Sequence, residues 1–234
     1  GKLADAEPYY RQALTLYQTL PGTEHEQATG LHNLALCLKT QTKPSEAKPF
    51  FQQALTLYES IDRTTIQYTN CLANLADTMS VLGENERAEP LFIEAITQAK
   101  TAENSNNILG PILYNFARNL EALKRPSEAA AVYYHAYAAY STLTESDTYQ
   151  ADCLHNLAGI LLKQGKDSEA EICYLQALEK YEKNNRRTNN RNSECKLSLS
   201  KLMSKRTHAK VVNLDDPEDL GTVWHQEFQE GNTE

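Results

Sequence analysis

The sequence lacks the signatures on which most catalytic chemistry rests. It contains no glycine-rich phosphate loop, no G-x-S-x-G elbow and no H-E-x-x-H pair. Its six histidines (His25, His32, His135, His155, His208 and His225) fall at no spacing that builds a metal site. No metal, no cofactor and no enzymatic activity are therefore expected. No apolar run approaches the ~18 residues that a membrane-spanning helix needs. The five cysteines (Cys37, Cys71, Cys153, Cys173 and Cys195) are an odd number and form no C-x-x-C pair. This argues against a disulfide framework and for thiols packed as small core residues in a reducing compartment, by expectation the cytoplasm. Cations are in deficit: 23 Lys and Arg against 31 Asp and Glu leave a net charge of −8, which argues against a general nucleic-acid binder. The chain begins at Gly1 and not at Met, which leaves room for a leader or a further domain ahead of it.

What the sequence does have is a repeat. "LHNLA" occurs at Leu31–Ala35 and again at Leu154–Ala158, 123 residues on, and 123 is three times 41. Between them stand "LANLA" at Leu72–Ala76 and "LYNFA" at Leu113–Ala117, each one step of 41 further. The asparagines Asn33, Asn74, Asn115 and Asn156 therefore keep one phase. A second segment keeps it too, with central alanines Ala13, Ala54, Ala95, Ala136 and Ala177. Self-similarity at a fixed period marks a repeat architecture.

Each unit holds two helical stripes. Leu31, Leu34, Ala35 and Leu38 share one face of a helix; Ala47, Phe51, Ala54, Leu55 and Tyr58 share one face of a second. Turn residues separate them. Gly83 and Gly165 suit the position just past a helix end, and Pro44 and Pro126 suit a helix start. Pro8, Pro49 and Pro90 are expected within the first turn or so of the second helix, where a missing N–H costs least. Small residues (Ala35, Ala76, Ala117, Ala158 and Ala47, Ala88, Ala129, Ala170) are expected where helices cross closely.

The arrangement L-x-x-L-A-x-x-L, then A-x-x-x-F/Y-x-x-A, resembles the tetratricopeptide repeat, whose usual unit is about 34 residues. Long units with "NLA" in the first helix, and "AEPLF" (Ala88–Phe92) or "AEPYY" (Ala6–Tyr10) in the second, resemble the kinesin light chain type. The resemblance covers residues 1–183. It implies an all-α, right-handed superhelical solenoid of antiparallel helix pairs: a half repeat at 1–20, then four repeats at about 24–61, 65–102, 106–143 and 147–183. The partner of the first half repeat is expected upstream. A polar loop at 184–192, a basic capping helix at 193–209 and an acidic tail at 210–234 are expected to follow. In the capping helix, Cys195, Leu199, Leu202 and Met203 should form the packing face.

The resemblance also implies a binding groove lined by the first helices. Its inward positions would be Thr29, His32, Asn33 and Leu36; Asn70, Ala73, Asn74 and Asp77; Pro111, Tyr114, Asn115 and Arg118; and Asp152, His155, Asn156 and Gly159. A helix-interior asparagine is poorer than alanine by roughly 0.6 kcal/mol, so four in register imply an offsetting role. Either each amide ties neighbouring repeats together, or the amides present donors and acceptors to a bound peptide backbone. The chaperone carboxylate clamp would need basic residues where Thr29, His32, Asn70, Ala73, Pro111 and Tyr114 stand, so acidic chaperone tails are not expected to bind. Most of the thirteen tyrosines belong to second helices as core residues with the hydroxyl at the rim; Tyr114 is the exception.

The reading that follows is a non-catalytic scaffold that binds a protein or peptide ligand. The alternatives are a structural subunit built into a larger complex and, third, a regulatory domain of a larger enzyme. In the tail, Leu220, Val223, Trp224 and Phe228 fall on one apolar face of a possible short helix, and Asp216 and Pro217 suit its start. That segment could dock as a ligand into a groove, the chain's own or a partner's, and the basic cap could hold its acids.

Overall fold

The structure, a computed structural model, describes residues 2–101, 106–183 and 189–206. Among these residues there are ten α-helices and no strand: α1 Lys2–Tyr17, α2 Glu24–Thr40, α3 Pro44–Ile61, α4 Ile66–Val81, α5 Asn85–Thr101, α6 Asn106–Ala122, α7 Pro126–Ser141, α8 Asp147–Lys163, α9 Asp167–Lys183 and α10 Asn189–Arg206. The chain divides into two compact units, Gly1–Pro126 and Ser127–Glu234. The first carries α1 to α6 and the second carries the rest.

The stripes expected from the sequence are the buried ones. Leu31, Leu34, Ala35 and Leu38 of α2, and Ala47, Phe51, Ala54, Leu55 and Tyr58 of α3, all lie in the core. The eight crossing alanines, from Ala35 to Ala170, have no exposed surface at all. In the first unit each helix packs on the next in sequence, and α4 also touches both α2 and α6. First helices thus lie side by side in one layer, which is the all-α solenoid arrangement. In the second unit α8 packs on α9 and α9 on α10.

The turns repeat bond by bond. Thr42, Gly83, Lys124 and Gly165, spaced 41 apart, all adopt the left-handed conformation, with φ of 61°, 81°, 63° and 77°. In each turn this residue donates to the carbonyl three back (Thr42 to Lys39, Gly83 to Ser80, Lys124 to Glu121, Gly165 to Leu162). The residue after it donates five back (Lys43 to Leu38, Glu84 to Met79, Arg125 to Leu120, Lys166 to Leu161). These pairs satisfy carbonyls that a helix end leaves orphaned. Only two of the four positions hold the glycine that announces such a turn.

A second device joins one pair to the next. The Thr23 hydroxyl donates to the Tyr17 carbonyl (2.7 Å), and Gln27 Nε2 donates to the same carbonyl (3.2 Å) and to Thr23 Oγ1 (3.1 Å). Three periods later Ser146 and Gln150 clip the Tyr140 carbonyl in the same way (2.6 and 3.4 Å). A carbonyl at a helix end is held by two side chains of the following helix start.

Two expectations need correcting. Pro49 and Pro90 stand six residues into α3 and α5, and Pro8 seven into α1, beyond the first turn. The helices begin at Pro44, as its proline suggests, and at Asn85, far enough ahead that each internal proline removes one helical hydrogen bond. The capping helix begins at Asn189 rather than 193. It docks through Cys195, Leu199 and Leu202, whereas Met203 is 56% exposed. Residues 184–188 and everything after Arg206, including the acidic tail with Leu220, Val223, Trp224 and Phe228, lie outside the described residues.

Candidate functional site

The first-helix face of the first unit is built from α2, α4 and α6. Thr29, His32, Asn33 and Leu36 are half-buried on α2, as are Asn70, Ala73 and Asn74 on α4 and Tyr114 and Asn115 on α6; Asp77 is buried, and Pro111 and Arg118 are exposed. The helical spacing that aligns them leaves one flank packed and one open.

The four asparagines do not behave alike. Asn74 is committed. Its Nδ2 donates to the Asn70 carbonyl (2.9 Å), and its Oδ1 accepts from Lys39 Nζ (3.3 Å). Lys39 also forms a 2.5 Å ion pair with Asp77, so one cation of α2 bridges two residues of α4. Asn156 is committed as well, accepting from Arg191 of α10 (3.5 Å) while Arg191 pairs with Asp152 (3.3 Å). The amides of Asn33 and Asn115 have no protein partner among the described residues. Arg118 likewise pairs with no carboxylate there. Lys39 precedes Asp77 by 38 residues and Arg191 follows Asp152 by 39. Opposite charges separated by nearly one period were the signal for these tethers, and composition alone hides it.

The two histidines occupy equivalent places. The His32 ring meets Phe51 edge-on at 5.5 Å, and His155 meets Tyr174 edge-on at 5.6 Å. Burial, then the Lys39 cation, lowers the His32 pKa to about 4, so the ring is neutral near pH 7; its Nδ1 is buried without a partner. His155 is also shifted down, by burial first and Arg191 second. Its Nδ1 lies 3.0 Å from Cys195 Sγ, and burial lifts that thiol to about 12. A thiol so protonated is a packing group and no nucleophile. All five cysteines are free and buried. The tethers from α10 make Asp152, His155 and Asn156 a helix-packing surface, and the first unit keeps the open one.

Of the second-helix tyrosines, Tyr58, Tyr133, Tyr140, Tyr174 and Tyr181 are buried, whereas Tyr9 is exposed and Tyr10, Tyr17, Tyr134 and Tyr137 are half-buried; the hydroxyls of two buried ones reach first helices. Tyr58 Oη lies 3.1 Å from Thr29 Oγ1, and Tyr181 donates to Asp152 (2.6 Å). Thr29 and Asp152, expected to line a groove, are thus engaged from behind.

A tetratricopeptide repeat model matches residues 1–60, and a second one matches residues 150–185. The chain thus carries tetratricopeptide repeats in both matched segments. Its long-repeat form is similar to solved structures of the kinesin light chain-like type. One is a Podospora anserina protein described as a kinesin light chain with nearly identical TPR-like repeats (TM-score 0.64, 19% identity, 80% of this chain and 90% of that one). Another is BtubC (BKLC) from P. vanneervenii (TM-score 0.65, 13% identity, 92% and 96%). A third is a Rap protein complexed with competence and sporulation factor (TM-score 0.64, 18% identity, 86% and 52%). No curated protein matches the sequence closely enough to count as a relative. At these identities the likeness to the solved structures concerns the fold. No helix among the described residues is long and apolar enough to cross a membrane.

Proposed function

We propose that this protein is a non-catalytic scaffold whose first-helix face, on α2, α4 and α6, binds an extended segment of a partner protein. The observation that carries the reading is the division among the asparagines. Asn33 and Asn115 hold half-buried amides without protein partners, while Asn74 between them is tied down. An amide offers both donors and acceptors, which is what a peptide backbone in extended form needs. The similar Rap structure is of a complex with competence and sporulation factor, which supports a ligand-binding role for a chain of this fold. The free thiols suit the reducing environment of the cytoplasm.

The test is selection of peptides from a display library by the full chain, followed by titration against variants. Asn33→Ala with Asn115→Ala should weaken binding about ten-fold, as two lost hydrogen bonds predict, with melting unchanged. Peptides that bind the double variant as well as the wild type would refute this face as the site.

A further inference from the structure

Charge is divided unevenly along the chain. The last 24 residues hold seven acids and no lysine or arginine, so they carry −7 of the net −8 and leave −1 for residues 1–210. The opposite excess lies just before them. α10 contains Arg191, Lys196, Lys201, Lys205 and Arg206 against one acid, Glu194.

α10 is a first helix by register. Its buried Cys195, Leu199 and Leu202 stand 41 residues after Leu154, Ala158 and Leu161. The second helix that the repeat would place next does not continue the pattern, since Val211 and Glu218 stand where Ala170 and Ala177 predict alanine. By register, that next helix would cover one face of α10. Helical geometry places Ser193, Ser200 and Ser204 along the middle of that face, Lys196 and Met203 on one flank, and Leu197 and Lys201 on the other. Leu197 and Met203 are 55% and 56% exposed. Lys196 meets only the exposed Glu182 (3.3 Å), and Lys201 has no charged partner among the described residues.

We propose that the chain's own acidic segment, Asp215–Glu234, docks on this open face of α10, with its apolar residues Leu220, Val223, Trp224 and Phe228 over Leu197 and Met203 and its carboxylates against Lys196 and Lys201. The reach is ample. Lys196 lies about 15 Å back from the end of α10, and residues 207–214 can span about 26 Å. A single exposed ion pair contributes little, so the hold comes from several acids acting on one basic helix together with burial of the indole. The contact is local and intramolecular.

Trp224 is the only tryptophan, so its emission follows this segment alone. In the full chain at low salt, acrylamide should quench Trp224 at least two-fold less than N-acetyltryptophanamide. Adding 0.5 M sodium chloride, or introducing Lys196→Glu with Lys201→Glu, should raise quenching toward the free value. Both side chains are exposed, and an unchanged melting curve checks that α10 is intact. Lys201→Gln, expected to fall between, carries the test if the double variant melts early. Quenching equal to the free value at low salt overturns the proposal. So does protection that ignores both salt and charge reversal, which puts the indole elsewhere on the chain. Protection that disappears on dilution overturns it too, since the occupied helix would then belong to a second copy.

Discussion

Two residues occupy the left-handed turn position at a cost that the chain need not bear. Thr42 and Lys124 share the register of Gly83 and Gly165, yet carry side chains at φ of 61° and 63°. A non-glycine residue there costs roughly 1–2 kcal/mol, and a β-branched one sits at the unfavourable end. Thr42→Gly should therefore stabilise the chain by about 0.5–1 kcal/mol in urea unfolding, after glycine's greater freedom in the unfolded state is set against the gain. Gly83→Ala should destabilise by a similar amount. Nothing lies within 4 Å of an added Cβ at Gly83, so that penalty is one of backbone alone. All four turns were legible as turns, but the left-handed residue was marked by glycine at only two of them, because the hydrogen bonds that enforce the geometry come from the helix end. His32 carries a second residue-scale consequence. Its folded pKa of about 4 lies below the ordinary 6.5, so between these values the folded chain binds fewer protons than the unfolded one. Its neutral burial is fully tolerated above pH 6.5 and becomes a liability as pH falls toward 4. On going from pH 7.5 to pH 4.5, His32→Leu should lose about 2 kcal/mol less stability than the wild type in urea titrations. Parallel losses would show that the ring is not buried neutral.

Between elements, stability rests on how closely axes approach. Ala76 sits at 0% exposure where α4 crosses its neighbours. Ala76→Leu should overpack that crossing and destabilise by about 1–3 kcal/mol, measured by thermal or urea unfolding. This was legible from sequence, since a small residue recurring every 41 positions has no other simple cause. The helices themselves were legible for the same reason: apolar stripes and turn residues agree. What escaped were contacts between elements that lack sequence proximity. The Lys39 bridge to Asn74 and Asp77 and the Arg191 bridge to Asp152 and Asn156 join side chains across helices. They decide which asparagines are occupied, so the candidate site was visible as a register but not as a division of labour within it. The early start of α10 escaped because "NNRRTNNRN" has the composition of a loop; its final residues are helical through packing that composition does not encode.

For the molecule as a whole, two compact units imply that damage stays local. In a stack stabilised by nearest-neighbour contacts, a lesion lowers the protection of its own neighbourhood first. In hydrogen exchange, Ala76→Leu should speed exchange throughout α3 to α5 while leaving α8 and α9 close to wild type. Uniform acceleration in all helices would indicate a single cooperative block. The four superimposable turns carry a further implication, one that concerns the gene. A coding sequence broken at one turn and rejoined at another, in frame, specifies the same helix end, the same left-handed residue and the same following helix start. Unequal crossing-over between such points adds or removes 41 codons at a time and still yields a foldable chain. The length of the chain can thereby change in steps of one turn-to-turn unit without loss of the helix-pair pattern.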